Sequence, residues 1–341
     1  MLWWVLGGLI LFLVVFNLFG WWLSAPVYKG PESGHFKNGK FINPGGVKSK
    51  GFIDAMRWMI SRDKGPWTKN YNTDVGDKPA ESSEELVITF VNHSTFLIQW
   101  NMLNILTDPV WSERCSPFSF AGPQRMRPPG INFEDLPHID IILLSHNHYD
   151  HLDINTVLQL ESKYSPVFVV PLGVKAYLTK KGVKNVVELD WWGSTNPGIP
   201  IKALPAQHFS GRGTFDRDKT LWCGYLLEVN GKKLYFAGDS GYGEFFKEIG
   251  KNEGPMDISL IPIGAYEPKW FMSPIHVSPA QAIQIHKDVN SQQSVAMHFG
   301  TFTLADEGQG KAEEDLILEL DKQGISQEKF IIPSEGTPIK F

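Results

Sequence analysis

Three histidines and an aspartate fall within six positions, as His146, His148, Asp150 and His151 in the run Leu144-Ser145-His146-Asn147-His148-Tyr149-Asp150-His151-Leu152-Asp153. Imidazole nitrogens and carboxylate oxygens are the ligands that Zn²⁺ and its relatives take, and sites built from them usually keep one position open for water. Two His two apart on one turn can converge on a first ion, while the Asp and His two and three further on curl back towards a second. The run follows directly on the apolar stretch Ile139 to Leu144, which places it at the end of a buried strand. This pattern predicts a metal site rather than a solvated turn.

A site for two ions needs more ligands than the motif supplies. His208 closes the apolar stretch Ile201 to Leu204 in Pro205-Ala206-Gln207-His208, Asp239 ends another in Phe236-Ala237-Gly238-Asp239, and His298 follows Ser294 to Met297. A lone His is more often a satisfied structural residue than a ligand, but all three stand at the C-terminal ends of expected strands. Asp239 suits a bridging role, because its two oxygens can bind two ions about 3.5–4 Å apart. Asp108, in Leu106-Thr107-Asp108-Pro109, reads equally as a ligand or as the group that orients a ligand His. His93 reads as structural, His35 and His286 as surface residues, and His138 has no evident partner.

The elements that must position these residues are legible as short runs. Strands are expected at 86–91, 95–100, 102–106, 139–144, 167–170, 186–189, 201–204, 221–229, 233–237, 258–263, 295–299 and 330–332, and helices at 154–163, 174–181, 279–287 and 313–323. Asn230-Gly231 marks a two-residue hairpin turn. Ser278 followed by Pro279 marks a helix start. Strands alternating with helices argue for mixed α/β layers. Residues 25–84, rich in Gly, Lys, Asp and Pro with one amphipathic piece at 52–60, read as a linker and collar, and 85–341 as a single catalytic domain.

Composition excludes some classes. A formal charge of -5 over 341 residues leaves no basic footprint for nucleic acid. Cys115 and Cys223 are too few and too far apart for a disulfide framework or a Cys-based zinc knuckle. Residues 1–24 carry no charged side chain. As a helix at about 1.5 Å per residue they are long enough to cross a hydrocarbon core of about 30 Å. Trp3 and Trp4 near one end and Trp21 and Trp22 near the other would lie at opposite interfaces. The segment lacks the basic start and the short apolar core of a cleaved signal peptide, so a single-pass membrane anchor is expected. Lys29, Lys37, Lys40, Lys48 and Lys50 follow it and no Lys or Arg precedes it, which favours a cytoplasmic catalytic domain.

The His-x-His-x-Asp-His motif followed by separated His, Asp and His resembles the metallo-β-lactamase superfamily over residues 85 to 335. Within it, Thr107-Asp108-Pro109, Ser145 to Asp153, Phe236 to Gly241, Ile263 to Pro268, His276-Val277-Ser278-Pro279 and Met297 to Phe302 are similar to the N-acylphosphatidylethanolamine-hydrolysing phospholipase D family. The resemblance implies an αββα sandwich of two mixed β-sheets with the metals at one edge. It implies two Zn²⁺, with Fe or Mn²⁺ as alternatives: His146, His148 and His208 on the first, Asp150, His151 and His298 on the second, and Asp239 bridging. It also places Tyr149 and His276 beside a phospholipid head group. The implied reaction is phosphodiester hydrolysis of a membrane phospholipid in the bilayer to phosphatidic acid and an N-acylethanolamine, with Asp150 or His276 passing a proton to the leaving oxygen. The competing classes are a lactone or carboxyl ester hydrolase acting on a soluble substrate, and a metal-binding scaffold or sensor without turnover.

Overall fold

The computed structural model describes residues 2–69 and 75–341. It opens on α1 (Leu2–Leu23), 22 residues long, in which the side chains of ten residues, Trp3 among them, lie outside the described set. Among the described residues no helix is long and apolar enough to cross a membrane. The transmembrane expectation for residues 1–24 therefore meets a helix at the expected place but no described span. The end of α1 is tied to the rest of the chain: Ala25 N donates to Asp216 Oδ2 at 2.8 Å, Phe215 N to Ser24 Oγ at 3.1 Å and Thr214 N to Gly20 O at 3.4 Å. A small hairpin of β1 (Phe36–Lys37) and β2 (Lys40–Phe41) and then α2 (Phe52–Ile60) lead into the sandwich.

The first sheet holds β3 (Val87–Asn92), β4 (Thr95–Trp100), β5 (Leu103–Thr107), β6 (Ile141–Leu143), β7 (Val167–Pro171) and β8 (Val186–Leu189). Side by side these follow chain order, antiparallel as far as β5 and parallel beyond it. Parallel neighbours need a crossover connection, supplied by α3 (Ile154–Tyr164) and α4 (Val174–Lys180). The second sheet repeats this plan. It comprises β9 (Ser194–Thr195), β10 (Ile201–Leu204), β11 (Gly224–Val229), β12 (Lys232–Phe236), β13 (Met256–Pro262), β14 (Ser291–Met297) and β15 (Phe330–Ile331) in spatial order. Its parallel half is bridged by α5 (Phe245–Asn252), α7 (Pro279–Asp288) and α8 (Lys311–Gln323), with the one-turn α6 (Lys269–Met272) between β13 and α7. A last strand, β16 (Pro338–Lys340), returns to pair antiparallel with β3.

Strand periodicity sorts the apolar residues into layers. In β3, β4 and β6 the side chains of Ile88, Phe90, Phe96, Ile98, Ile141 and Leu143 face the second sheet, while Val91, Leu97 and Ile142 face α3 and α4. This is the expected αββα sandwich. Phe90 is fully buried between the sheets, stacked on Phe299 at 5.2 Å and tilted against Phe96 at 5.1 Å. Phe90→Ala should cost about 3–5 kcal/mol of unfolding free energy, readable as a shift in the urea midpoint; a cost below about 1 kcal/mol would mean that the two sheets repack freely.

Besides the β1–β2 hairpin, four elements were not expected from the sequence. The strand β16 begins with Pro338 on an edge, the place where proline is tolerated in a sheet. The helix α6 is too short for a periodic signal. In α5, Gly250 reads as a helix breaker, but a Cβ there would lie 1.9 Å from Asp288 O, so glycine permits the close approach of α5 to the end of α7. The two-residue β9 has no pattern at all.

Candidate metal centre

The C-terminal ends of the strands converge on one edge of the sandwich. Asp108 follows β5, the 145–153 loop follows β6, His208 lies four residues beyond β10, Asp239 three beyond β12, and His298 directly follows β14. Asp108, His298 and His93, the last in the turn between β3 and β4, all have left-handed backbones, with φ of 36°, 59° and 49°. Non-glycine residues in that region are strained, and such strain collects at functional sites. At Gly238 the left-handed φ of 62° and a Cβ position 2.8 Å from Cys223 O and 2.9 Å from Ser145 Cβ leave room only for glycine beside Asp239.

Two groups of ligand atoms face one another across Asp239. In the first, His146 Nε2 lies 2.8 Å from His148 Nδ1, which lies 3.2 Å from His208 Nε2. The second gathers His93, Asp150, His151 and His298. In it Asp150 Oδ2 stands 3.0 Å from His93 Nε2, 3.3 Å from His151 Nε2 and 3.6 Å from His298 Nε2. Asp239 Oδ2 is 2.9 Å from His298 Nε2 and 3.1 Å from His151 Nε2, and 3.9 Å from both His208 Nε2 and His276 Nδ1.

The donor set fits divalent cations. Asp239 Oδ1 and His276 Nδ1 are buried without a hydrogen-bond partner among the described residues, and His151 Nε2 and His298 Nε2 converge on the same carboxylate oxygen at 3.1 and 2.9 Å. Each such orphan costs about 1–3 kcal/mol unless something else satisfies it. Converging lone pairs of imidazole and carboxylate are what a borderline-soft cation satisfies.

Behind these atoms stands a layer that fixes their orientation. Asp108, fully buried, accepts from Ser145 N at 2.7 Å and Ser145 Oγ at 2.6 Å, and its Oδ2 lies 2.7 Å from His151 Nδ1. Asp108 thus holds the ring of His151, a candidate ligand, as an orienting group would. His208 Nδ1 donates to Ile275 O at 2.9 Å, and Ser145 Oγ lies 2.9 Å from His146 Nδ1.

Burial and neighbouring charge divide the histidines. Burial, and then the neighbouring His208, pushes His148 down to about 3, and burial pushes His208 down to about 4. Burial works against charge on His298 and His151 too, but Asp239 and Asp150 outweigh it, raising His298 to about 9 and His151 well above the ordinary histidine range. At pH 7 the first group therefore offers bare lone pairs, while His298 and His151 carry protons that a metal must displace. Loading two cations at pH 7 should release protons from both histidines, the His298 share falling off as pH rises through about 9. Calorimetry in two buffers of different ionisation enthalpy measures this directly; no buffer dependence would contradict the charge assignment.

The structure brings together His146, His148, Asp150, His151, His208, Asp239 and His298, and adds His276, whose ring lies 5.1 Å from those of both His208 and His298. Tyr149 points elsewhere. Its hydroxyl donates to Arg212 O at 2.8 Å, the Arg212 guanidinium lies 3.9 Å from its ring centre, and it lines a cleft of about 260 Å³ with Trp22 and Tyr177. His93, read above as structural, belongs to the cluster, and the strand-end criterion that singled out His208 and His298 applies to it equally. His286 is not a surface residue but is buried, its Nδ1 2.8 Å from Ser294 Oγ. His35 is half-buried against Asp190 Oδ1 at 2.7 Å, and exposed His138 lies 3.7 Å from Asp140.

This edge of a two-sheet sandwich, with its His and Asp cluster, defines a class. Residues 103–299, more than half of the chain, match the model of the β-lactamase superfamily domain, and the chain belongs to the metallo-β-lactamase superfamily. Among its relatives, an uncharacterized protein of Mycobacterium tuberculosis is 40% identical over 250 residues, covering 72% of this chain and 66% of that protein. N-acyl-phosphatidylethanolamine-hydrolyzing phospholipase D 1 of Caenorhabditis elegans is 39% identical over 246 residues, 69% of this chain and 68% of that one. The match thus leaves about a third of each relative uncovered. Among solved structures, a possible metal-dependent hydrolase of Veillonella parvula shares the fold with a TM-score of 0.62 at 16% identity, over 75% of this chain and all of that one.

Proposed function

We propose that the protein is a membrane-anchored binuclear zinc phosphodiesterase that hydrolyses N-acylphosphatidylethanolamine to phosphatidic acid and an N-acylethanolamine. The observation that carries this reading is Asp239 Oδ2, placed between a trio of neutral imidazoles and a second group containing Asp150, His151 and His298. The likeness to the nematode phospholipase supplies the substrate class. His146, His148 and His208 would hold one cation, Asp150, His151 and His298 the other, with Asp239 shared and His93 hydrogen-bonded to Asp150. When bound, two such cations would supply Lewis acidity, the chemistry that makes a water nucleophilic near neutral pH and offsets charge on a phosphoryl oxygen.

The chain's own residues then handle the proton. Burial keeps His276 well below the ordinary histidine range, so its ring is neutral, and Nδ1 has no hydrogen-bond partner among the described residues. His276 Nδ1 takes the proton of the attacking water as oxygen bonds to phosphorus, and returns it to the alkoxide as the bond from phosphorus to the ethanolamide oxygen breaks. Residues 1–24 serve as the anchor, 25–84 as a collar and 85–341 as the hydrolase domain on the cytoplasmic face. The uncharged sequence of α1 and exposed Trp21 and Trp22 support the anchor.

Hydrolysis in ¹⁸O water tests the scheme. Label should appear in the phosphate of phosphatidic acid. Label in the N-acylethanolamine hydroxyl would contradict attack at phosphorus, and turnover confined to soluble lactones or carboxyl esters would replace the substrate class.

A further inference from the structure

We propose that α2 is an interfacial helix that lies in the surface of an anionic phospholipid bilayer and holds the wall of the metal site against it. The inference rests on the lipid-hydrolase reading above. Phe52, Ile53, Met56, Met59 and Ile60 occupy positions i, i+1, i+4, i+7 and i+8 of α2, a single helical face. That face is open to solvent, with Phe52 76%, Ile53 83%, Met59 62% and Ile60 83% exposed. Contiguous exposed apolar side chains of this size mark an interaction surface. The opposite face is packed, with Ala55 and Trp58 against Phe271 and Met272 of α6.

Two observations select a membrane as the occupant. The first is charge: residues 48–64 carry Lys48, Lys50, Arg57 and Lys64 against Asp54 and Asp63, with Arg62 paired to Asp306 at 2.8 Å. An amphipathic helix flanked in this way is drawn to anionic lipid and buries its apolar face about 5–10 Å into the head-group boundary. The second is continuity with α1. The 213–217 segment that receives the end of α1 also reaches the start of α2, through Arg217 Nη2, which donates to Ser49 Oγ at 2.7 Å and to Lys50 O at 2.8 Å. The end of α1 and the start of α2 therefore share one side of the molecule.

Contact runs from α2 to the site in few steps. Trp58 stacks on Phe271 at 4.9 Å, and its Nε1 donates to Asp306 Oδ2 at 2.8 Å. The α6 turn continues through Met272, whose carbonyl accepts from Ile275 N and His276 N, each at 2.9 Å. Ile275 O in turn accepts from His208 Nδ1. A helix seated in lipid thus fixes the turn that orients one metal ligand and His276. In this account the site is held in its working geometry when the protein is on a bilayer.

The test uses full-length protein reconstituted in phosphatidylcholine–phosphatidylserine vesicles free of substrate, with an environment-sensitive fluorophore at Ile53→Cys or, as control, at Lys232→Cys. Cys115 and Cys223 are buried, so labelling is selective. Lys232 is exposed in the hairpin at the end of its sheet opposite the metal edge. The Ile53 label should shift to the blue and be quenched by spin-labelled lipid, with the Lys232 label unaffected. A water-exposed Ile53 label, or shielding that rises with the ratio of protein to lipid and so reports a second copy of the chain, would overturn the proposal. Because this readout needs no turnover, it stands or falls separately from the phospholipase reading. In a second arm, Ile53→Ser with Ile60→Ser should lower hydrolysis of vesicle lipid at least about tenfold, as expected when two buried aliphatic groups are lost. With a water-soluble phosphodiester, substrate-free vesicles should stimulate the native chain and not the variant, while the two rates without vesicles agree within about twofold; equal stimulation of both would overturn the coupling.

Discussion

Asp239→Asn should reduce turnover by about 10²–10³-fold or more and leave the purified protein with at most one of the two metal ions proposed above. The size of the effect follows from position: Asp239 Oδ2 lies within 3.9 Å of imidazole nitrogens of both proposed ligand groups, those of His151 and His298 on one side and of His208 on the other. An amide keeps the volume, removes the negative charge, and exchanges one oxygen for a group that cannot ligate. Preorganised charge in a buried site is worth losses of this order. The same substitution removes the main attraction that raises His151 and His298, so fewer protons should be released on metal loading. Metal analysis beside single-turnover rates checks both halves, and a variant with two bound ions and near-normal rate would remove Asp239 from the bridging role.

Asp108→Ala should be the most damaging substitution among residues that touch no metal. Three hydrogen bonds end on its carboxylate, from Ser145 N, Ser145 Oγ and His151 Nδ1, all in a fully buried setting. Burial would drive the carboxyl towards its neutral form, and His151 followed by Ser145 opposes this. Removing it strands donors that cost about 1–3 kcal/mol each, for a total loss of about 3–5 kcal/mol. It also frees the His151 ring, which should weaken metal affinity about 10–100-fold. Thermal unfolding of the metal-free protein reads the first effect and chelator competition the second. Asp108→Asn, which can still accept from Ser145, should recover part of the stability while leaving the affinity low.

The centre was legible in proportion to how local it is. His146, His148, Asp150 and His151 announce themselves because one loop after β6 carries all four, and short-range spacing is what a sequence displays. His208, Asp239 and His298 needed a further idea, that a sandwich gathers strand ends at one edge, so residues more than 50 positions from the motif become its neighbours. His93 meets that criterion but stands in a tight turn between β3 and β4, where a polar residue has an adequate local explanation. His286 shows the reverse error: it lies on the inner face of α7, and burial there is decided by β14 packing beneath it.

The sandwich was visible from alternating apolar residues, because each strand must divide its side chains between two layers. What escaped was structure justified only by a partner. Gly250 is explained by the end of α7, β16 by the open edge of β3, and α6 by the support it receives from α2 and gives to His276. None of these reasons is written within the segment concerned.

The central claim is that this edge hydrolyses the head-group phosphodiester of an N-acylated phospholipid with two metals. The most direct measurement is mass spectrometry of the products formed by zinc-loaded, detergent-purified protein on N-acylphosphatidylethanolamine in mixed micelles, beside Asp239→Asn. Equal amounts of phosphatidic acid and N-acylethanolamine from the native chain, and neither from the variant, is the predicted result. No product from protein shown to carry two metal ions would contradict it.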